Sequence, residues 1–425
     1  MTVVVAASAG AWATAVPGPS YADGPIDNPH GGYTVTTDSC ASCHRSHTAR
    51  DSNLLKTAEP QSVLCFSCHD GTGASYNVAA EFNDATVPAD DPGTSSFYSH
   101  PATTTPSIHT SAQIDEFAGV LNRHSECGDC HNPHTLAAAA PSQTAGGWTA
   151  SGSLTGASGV AAGAPLTWQN PITYEYELCL KCHSGYTQLL SYTKESHKKT
   201  DKAAEFDPAN ASYHPVEASG KNTTAAMANS LAGGSLWQFT TGSTVRCVNC
   251  HGNYRLVGSP PASNTPASDA RLAPHTSPYR GLLIANYRSR DLKPINELYS
   301  SGDFALCYLC HSETPFTEPS GDARNDTNFR FHGVHLANIG NQGSGSLDID
   351  DGGAGQGNAL CAECHFKPHG TKLAPWAGNQ DYPRGVNFAP NVQPRSGQTD
   401  PIWSGPTDRT CALVCHGKDH DWQSY

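Results

Sequence analysis

One sustained apolar run stands out along this chain, from Val3 to Val16, and no later stretch approaches the 18 or more apolar residues that a membrane helix needs. A turn-forming Pro17-Gly18-Pro19 follows it, then Ser20-Tyr21-Ala22, an ending that suits cleavage before Asp23. Residues 1–22 therefore read as an export signal, with the departure that no Lys or Arg precedes the run. Beyond it the apolar positions come in short, broken stretches. Only 37% of residues are hydrophobic, and 40 Gly with 30 Pro leave poor material for long helices or a continuous sheet. The pattern predicts mostly irregular coil with short α-helices, many turns and little β. Two low-complexity stretches, 135–165 and 338–358, read as surface loops.

Cysteine changes this picture, because all sixteen fall into eight short motifs. Seven are CxxCH: Cys40, Cys43 and His44; Cys65, Cys68 and His69; Cys127, Cys130 and His131; Cys179, Cys182 and His183; Cys247, Cys250 and His251; Cys307, Cys310 and His311; Cys361, Cys364 and His365. The eighth, CALVCH, has one extra residue between Cys411 and Cys415 before His416. No cysteine is left over for a disulfide framework. Structural zinc is the rival for any CxxC pair, but it does not explain the histidines. With 21 His in 425 residues, a histidine after all eight pairs by chance is about one in 20^8. Two thiols that form thioethers to one haem, with the adjacent imidazole reaching its iron, do explain them. Eight covalently bound haem c groups are expected, the longer eighth motif included. A chain with about 53 residues per haem is then organised by its cofactors and is not expected to fold without them.

The remaining thirteen histidines outnumber the eight further axial positions, and only Met227 offers sulfur beyond the initiator. Bis-histidine ligation follows, which lowers reduction potential relative to His/Met. Reach limits which histidine serves which iron. Two axial imidazoles set their Cα atoms on the order of 12 Å apart, while three residues span only about 10 Å when extended. His47, three after His44, therefore cannot close the haem of its own motif. It is expected to ligate the haem at 65–69, and His134 likewise the haem of the motif that follows it. His369 and His420, four after His365 and His416, repeat the arrangement. The motif at 247–251 has no such follower, so the haem at 307–311 must draw on something more distant, such as His275 or the His332 and His335 pair.

The motifs group in sequence as four pairs, and Leu64, Leu178 and Leu306 precede the later member of the first three. Such repetition suggests duplication of a two-haem unit. It divides the chain after the signal into 23–116, 117–225, 226–330 and 331–425, segments of one continuous haem chain. A net charge of −13 before any haem propionate argues against nucleic acid and anionic membrane surfaces as partners. Asp348, Asp350 and Asp351 before a Gly-Gly hint at a calcium loop but lack its closing glutamate.

With its paired CxxCH motifs from residue 30 to 420, the chain resembles the multihaem c-type cytochromes. In that resemblance the segments around His30, His100 and His214 look like donors of distal ligands. The distal candidates are His30, His47, His100, His124, His134, His214, His332, His335, His369 and His420, while His109 and His197 read as surface residues. The resemblance implies an electron carrier without catalytic residues, secreted to the cell surface or beyond. Its partners would be redox proteins or extracellular acceptors, and head-to-tail contacts would polymerise it into a filament. His30 or His420, outside the span of the motif histidines, would then donate a ligand across that contact. The alternative is an octahaem oxidoreductase of nitrite, hydroxylamine or a sulfur oxyanion. Such an enzyme needs an open iron position, and all eight motifs here keep their histidine. A haem-storage protein would not require its haems to touch.

Overall fold

Seven of the eight cysteine motifs fold as a single helical turn, the geometry that sets residues three apart on one side of the backbone. In the computed structural model the motif-histidine amide donates to the carbonyl of the first cysteine at 2.8–2.9 Å in six of them. The fourth motif lies inside Glu175–His183, the longest helix among the described residues at nine residues. The structure describes residues 30, 38–51, 53–74, 76–82, 98–103, 125–187, 201–252, 273–288, 293, 297, 299–317, 327–337, 358–371 and 382–425. The expected export signal, the aspartate cluster at 348–351, His109, His124 and His197 lie outside them.

The helical turns alternate between two kinds. Those of the third, fifth and seventh motifs, Cys127–Cys130, Cys247–Asn249 and Cys361–Cys364, begin at the first cysteine. The residue before the second cysteine closes each turn: Asp129, Asn249 and Glu363 accept from the backbone N–H of Glu126, Arg246 and Leu360 at 2.7, 2.7 and 2.6 Å. A side-chain oxygen there satisfies a backbone donor at the turn's entry. The second, fourth and sixth motifs sit in helices that start earlier, Gln61–Phe66, Glu175–His183 and Ala305–Tyr308, and include Leu64, Leu178 and Leu306. The leucines seen in the sequence thus mark the helix that extends ahead of its cysteine.

Polar ties and small apolar clusters join successive motifs from the second to the seventh. Gly128 N–H donates to the Gln61 side chain at 3.1 Å, linking the second and third motifs. Buried Lys181 donates to the Asp129 carbonyl and, at 3.3 Å, to Ser158, linking the third and fourth. A buried Arg246–Glu175 ion pair links the fourth and fifth. Val248 and Leu309 share a cluster around Trp237 and Ile284, and Tyr308 and Leu360 share another around Phe304 and Leu336. No single core runs through the described residues. Three of the four clusters include motif cysteines, so apolar packing is concentrated where haem attaches.

Among the described residues the sheets are three of two strands and one of three strands. Two of them matter below. Tyr98–Ser99 pairs antiparallel with Thr276–Ser277, and Ile402–Trp403, Thr410–Cys415 and Lys418–Ser424 form the three-stranded sheet near the C-terminus. The 135–165 segment differs from the expected surface loop. Its Val160 is fully buried with Leu180 and Ala203, and Gly159–Ala161 pairs with Thr167–Gln169 beside the fourth-motif helix. Its small residues are what allow this approach: a Cβ on Gly152 would lie 1.9 Å from the Ala137 carbonyl oxygen.

Removing one partner of the Arg246–Glu175 pair strands a carboxylate that is 4% exposed. Arg246→Ala is expected to destabilise the haem-loaded protein by about 3–5 kcal/mol, read as a lower denaturation midpoint, whereas a surface pair would move it by about 1 kcal/mol or less.

Candidate haem sites

The histidines meet in pairs that join distant parts of the chain. His44 faces His134 with ring centroids 6.0 Å apart and planes 15° apart, and His69 faces His30 at 5.9 Å and 15°. His251 faces His369 at 5.9 Å and 25°, and His131 faces His275 at 6.4 Å with planes at 63°. For three others the histidine that most influences the ring's charge marks the neighbour: His100 for His183, His214 for His311, and His365 for His332. The remaining pair, His335 with His420 at 6.2 Å and 29°, contains no motif histidine.

These separations suit a metal between the rings. With about 2 Å from each nitrogen to a metal and about 1.1 Å from nitrogen to ring centre, two trans imidazoles have centroids about 6 Å apart. Ring orientation is fixed from behind. In eleven histidines Nδ1 is the hydrogen-bonded nitrogen, which leaves Nε2 to point forward. Nδ1 meets a backbone carbonyl in His44 (Asn53), His100 (Pro274), His131 (Ser153), His214 (Pro368), His251 (Gly281), His335 (Phe331) and His365 (Gly385). It meets a hydroxyl in His311 (Ser230) and His332 (Thr327), and a carboxylate in His275 (Glu81, 2.6 Å) and His369 (Glu205, 3.2 Å). Burial pushes His183 and His332 down to about 3, and His251, His311 and His420 down to about 4. These imidazoles are neutral at neutral pH, the form that coordinates iron.

Two of the pairs are built on the same scaffold. Ser99 of the Ser99-His100-Pro101 segment pairs with Thr276, so His100 N–H donates to the His275 carbonyl at 3.3 Å. The Tyr213-His214-Pro215 segment bridges to Gly370, so His214 N–H donates to the His369 carbonyl at 3.0 Å. Beneath each lies a short helix ending Ala-Ala-Glu-Phe, Val78–Phe82 and Lys202–Phe206. Glu81 and Glu205 take the Nδ1 hydrogen bonds, and Phe82 and Phe206 contact the same rings at 5.2 and 5.1 Å. Burial raises the Glu205 carboxyl, but Lys202, His369 and Lys367 outweigh it and hold it down at about 2.

The motif cysteines form an ordered series. The first cysteines of motifs two and three, four and five, and six and seven touch: Cys65 with Cys127, Cys179 with Cys247, Cys307 with Cys361. Between these contacts Cys43 neighbours Cys68, Cys130 neighbours Cys182, Cys250 neighbours Cys310, and Cys364 neighbours Cys411. Attachment points therefore follow one another in sequence order. The closest contacts fall between the pairs read from the sequence, so the touching unit is shifted by one motif.

Several sequence expectations are corrected. His47 is exposed and faces no described ring, and His30 takes the place opposite His69. His134 faces His44, two motifs back, rather than the fourth motif. The reach limit still holds for both, since neither faces the histidine of its own motif. His275 faces His131, and His214 neighbours His311. His30 and His420, the expected donors across a subunit contact, face His69 and His335 of their own chain. His416 departs most: it is buried, and its Nε2 lies 3.0 Å from Glu363 instead of facing a ring. The signal that sequence reasoning missed is the doublet Pro-His at 29–30, 133–134, 274–275 and 368–369, which marks four of the facing histidines.

The sequence family described as "Doubled CXXCH motif" matches residues 33–74, the span of the first two motifs. Among curated proteins and solved structures, none matches. The doubled motif supports a multihaem c-type cytochrome, with haem c held covalently through the CXXCH cysteines. Among the described residues no helix is long and apolar enough to cross a membrane.

With His30 opposite His69 and His47 exposed, His30→Ala is expected to convert one haem to the high-spin form, while His47→Ala leaves every haem low-spin. Electron paramagnetic resonance of the two variants checks this.

Proposed function

We propose that this chain is an octahaem c-type cytochrome that conducts electrons outside the cytoplasm along haems ordered as their motifs are ordered. The observation that carries the reading is the facing rings at His44, His69 and His251, 5.9–6.0 Å from their partners, set beside cysteines that touch in sequence order. Haem supplies one-electron exchange at iron held between two imidazoles. The chain's own part is positional. The motif thiols would hold each haem, and its motif histidine together with a histidine from a remote segment would supply the iron ligands. Hydrogen bonds at Nδ1 keep each Nε2 aimed, and for His275 and His369 the group behind the ring is a carboxylate, of Glu81 and Glu205.

Facing rings at His44, His69, His131 and His251 favour electron transfer over the oxidoreductase reading, which needs an iron position that substrate can occupy. Export fits the apolar run at residues 3–16, and c-type haem fits a location outside the cytoplasm. The first and eighth sites are the two ends of the series, where redox partners or an acceptor would meet it. Polymerisation into a filament would bring such ends together by haem-to-haem contact, because the terminal histidines already have partners within the chain.

Intact mass of the holoprotein is expected to show eight covalent haems, and its electron paramagnetic resonance only low-spin iron. Seven haems, or rapid binding of cyanide by the native protein, would overturn the reading.

A further inference from the structure

The eighth motif does not form a helical turn. Thr410–Cys415 is an extended strand, and the chain returns as Lys418–Ser424 through a tight turn at His416 and Gly417, whose φ angles are 51° and 71°. This explains the extra residue. A helical turn puts residues three apart on one side, but a strand has period two, so only an even spacing sets two thiols on one face. Cys411, Leu413 and Cys415 share a face, and all three join the cluster around Trp403 and Tyr425. A histidine directly after the second cysteine then points elsewhere, whereas in the helical motifs the same adjacency suits ligation.

The returning strand supplies another imidazole to that face. His420 lies directly across from Leu413, between the two cysteines in register, and its ring faces His335 at 6.2 Å. His335 is oriented as the other ligands are, with Nδ1 on the Phe331 carbonyl at 2.8 Å. His416 is oriented in the opposite sense. Its Nε2 lies 3.0 Å from Glu363 Oε1 with both side chains almost fully buried, so that nitrogen is held by a carboxylate instead of facing a ring. Glu363 is also the residue that closes the helical turn of the seventh motif. His416 lies near enough to His335 to influence its charge, which makes it the natural rival.

We propose that the eighth haem, attached through Cys411 and Cys415, is ligated by His335 and His420, and that His416 is a positioning residue that fastens the hairpin to the seventh motif. This deepens the reading of eight haems and rests on it. Cys415 lies with Glu363 and His416 in one cluster, so the fastening and the attachment point are a single unit.

The test uses the holoprotein with the eighth motif intact. His420→Ala is expected to keep eight haems by intact mass and turn one of them high-spin by electron paramagnetic resonance. His420→Met is expected to give one His/Met haem, seen as a near-infrared sulfur-to-iron charge-transfer band and a raised potential for that haem alone. If both variants keep eight low-spin bis-histidine haems, His416 is the ligand and the proposal is overturned. Wild-type protein with seven haems would instead overturn the octahaem reading itself, so the two failures are distinguishable.

Discussion

A histidine cannot reach across a haem to meet its own near neighbour in the chain, and much of this architecture follows from that limit. Two imidazoles on opposite faces of one iron need backbones on the order of 12 Å apart, so the second ligand must come from a segment that arrives from elsewhere. His134 returns to His44, His369 to His251, and His275 to His131. Each return stitches one motif to another, and the stitches replace the continuous core that so little apolar sequence cannot build. Burial of the rings, their Nδ1 hydrogen bonds and the small clusters around the cysteines all serve the same contact.

The repeats show how such stitching extends along a chain. An Ala-Ala-Glu-Phe helix, a His-Pro strand and a Pro-His partner occur twice, and each set brings two facing histidines side by side by one backbone hydrogen bond. Buried Glu175 and Arg246, and Lys181 on the Asp129 carbonyl, hold successive motifs together between these sets. Each set spans an odd motif and the even one after it, the third with the fourth and the fifth with the sixth, while the touching cysteines join an even motif to the odd one after it.

The chemistry and the style of fold were legible from the motifs and the composition, because thiols at spacing three with an adjacent imidazole leave few readings and Gly-rich, Pro-rich sequence leaves few elements. Which histidine serves which iron was not legible. The reach limit says which motif a histidine cannot serve, but nothing about where a segment goes: His134 faces His44, and His47 is exposed. The packing of residues 135–165 was also hidden, since small residues read equally as loop filler and as the only side chains that fit a tight approach. At the eighth motif the extra residue was visible, but its meaning depended on whether those residues form a turn or a strand.

Iron positions, located by anomalous scattering from crystals of the haem-loaded protein, test the central claim most directly. The account predicts eight irons in motif order, each between the two rings named for it, with His30 opposite His69 and His134 opposite His44. An iron held by His47, or a series in which consecutive motifs are not neighbours, would contradict it.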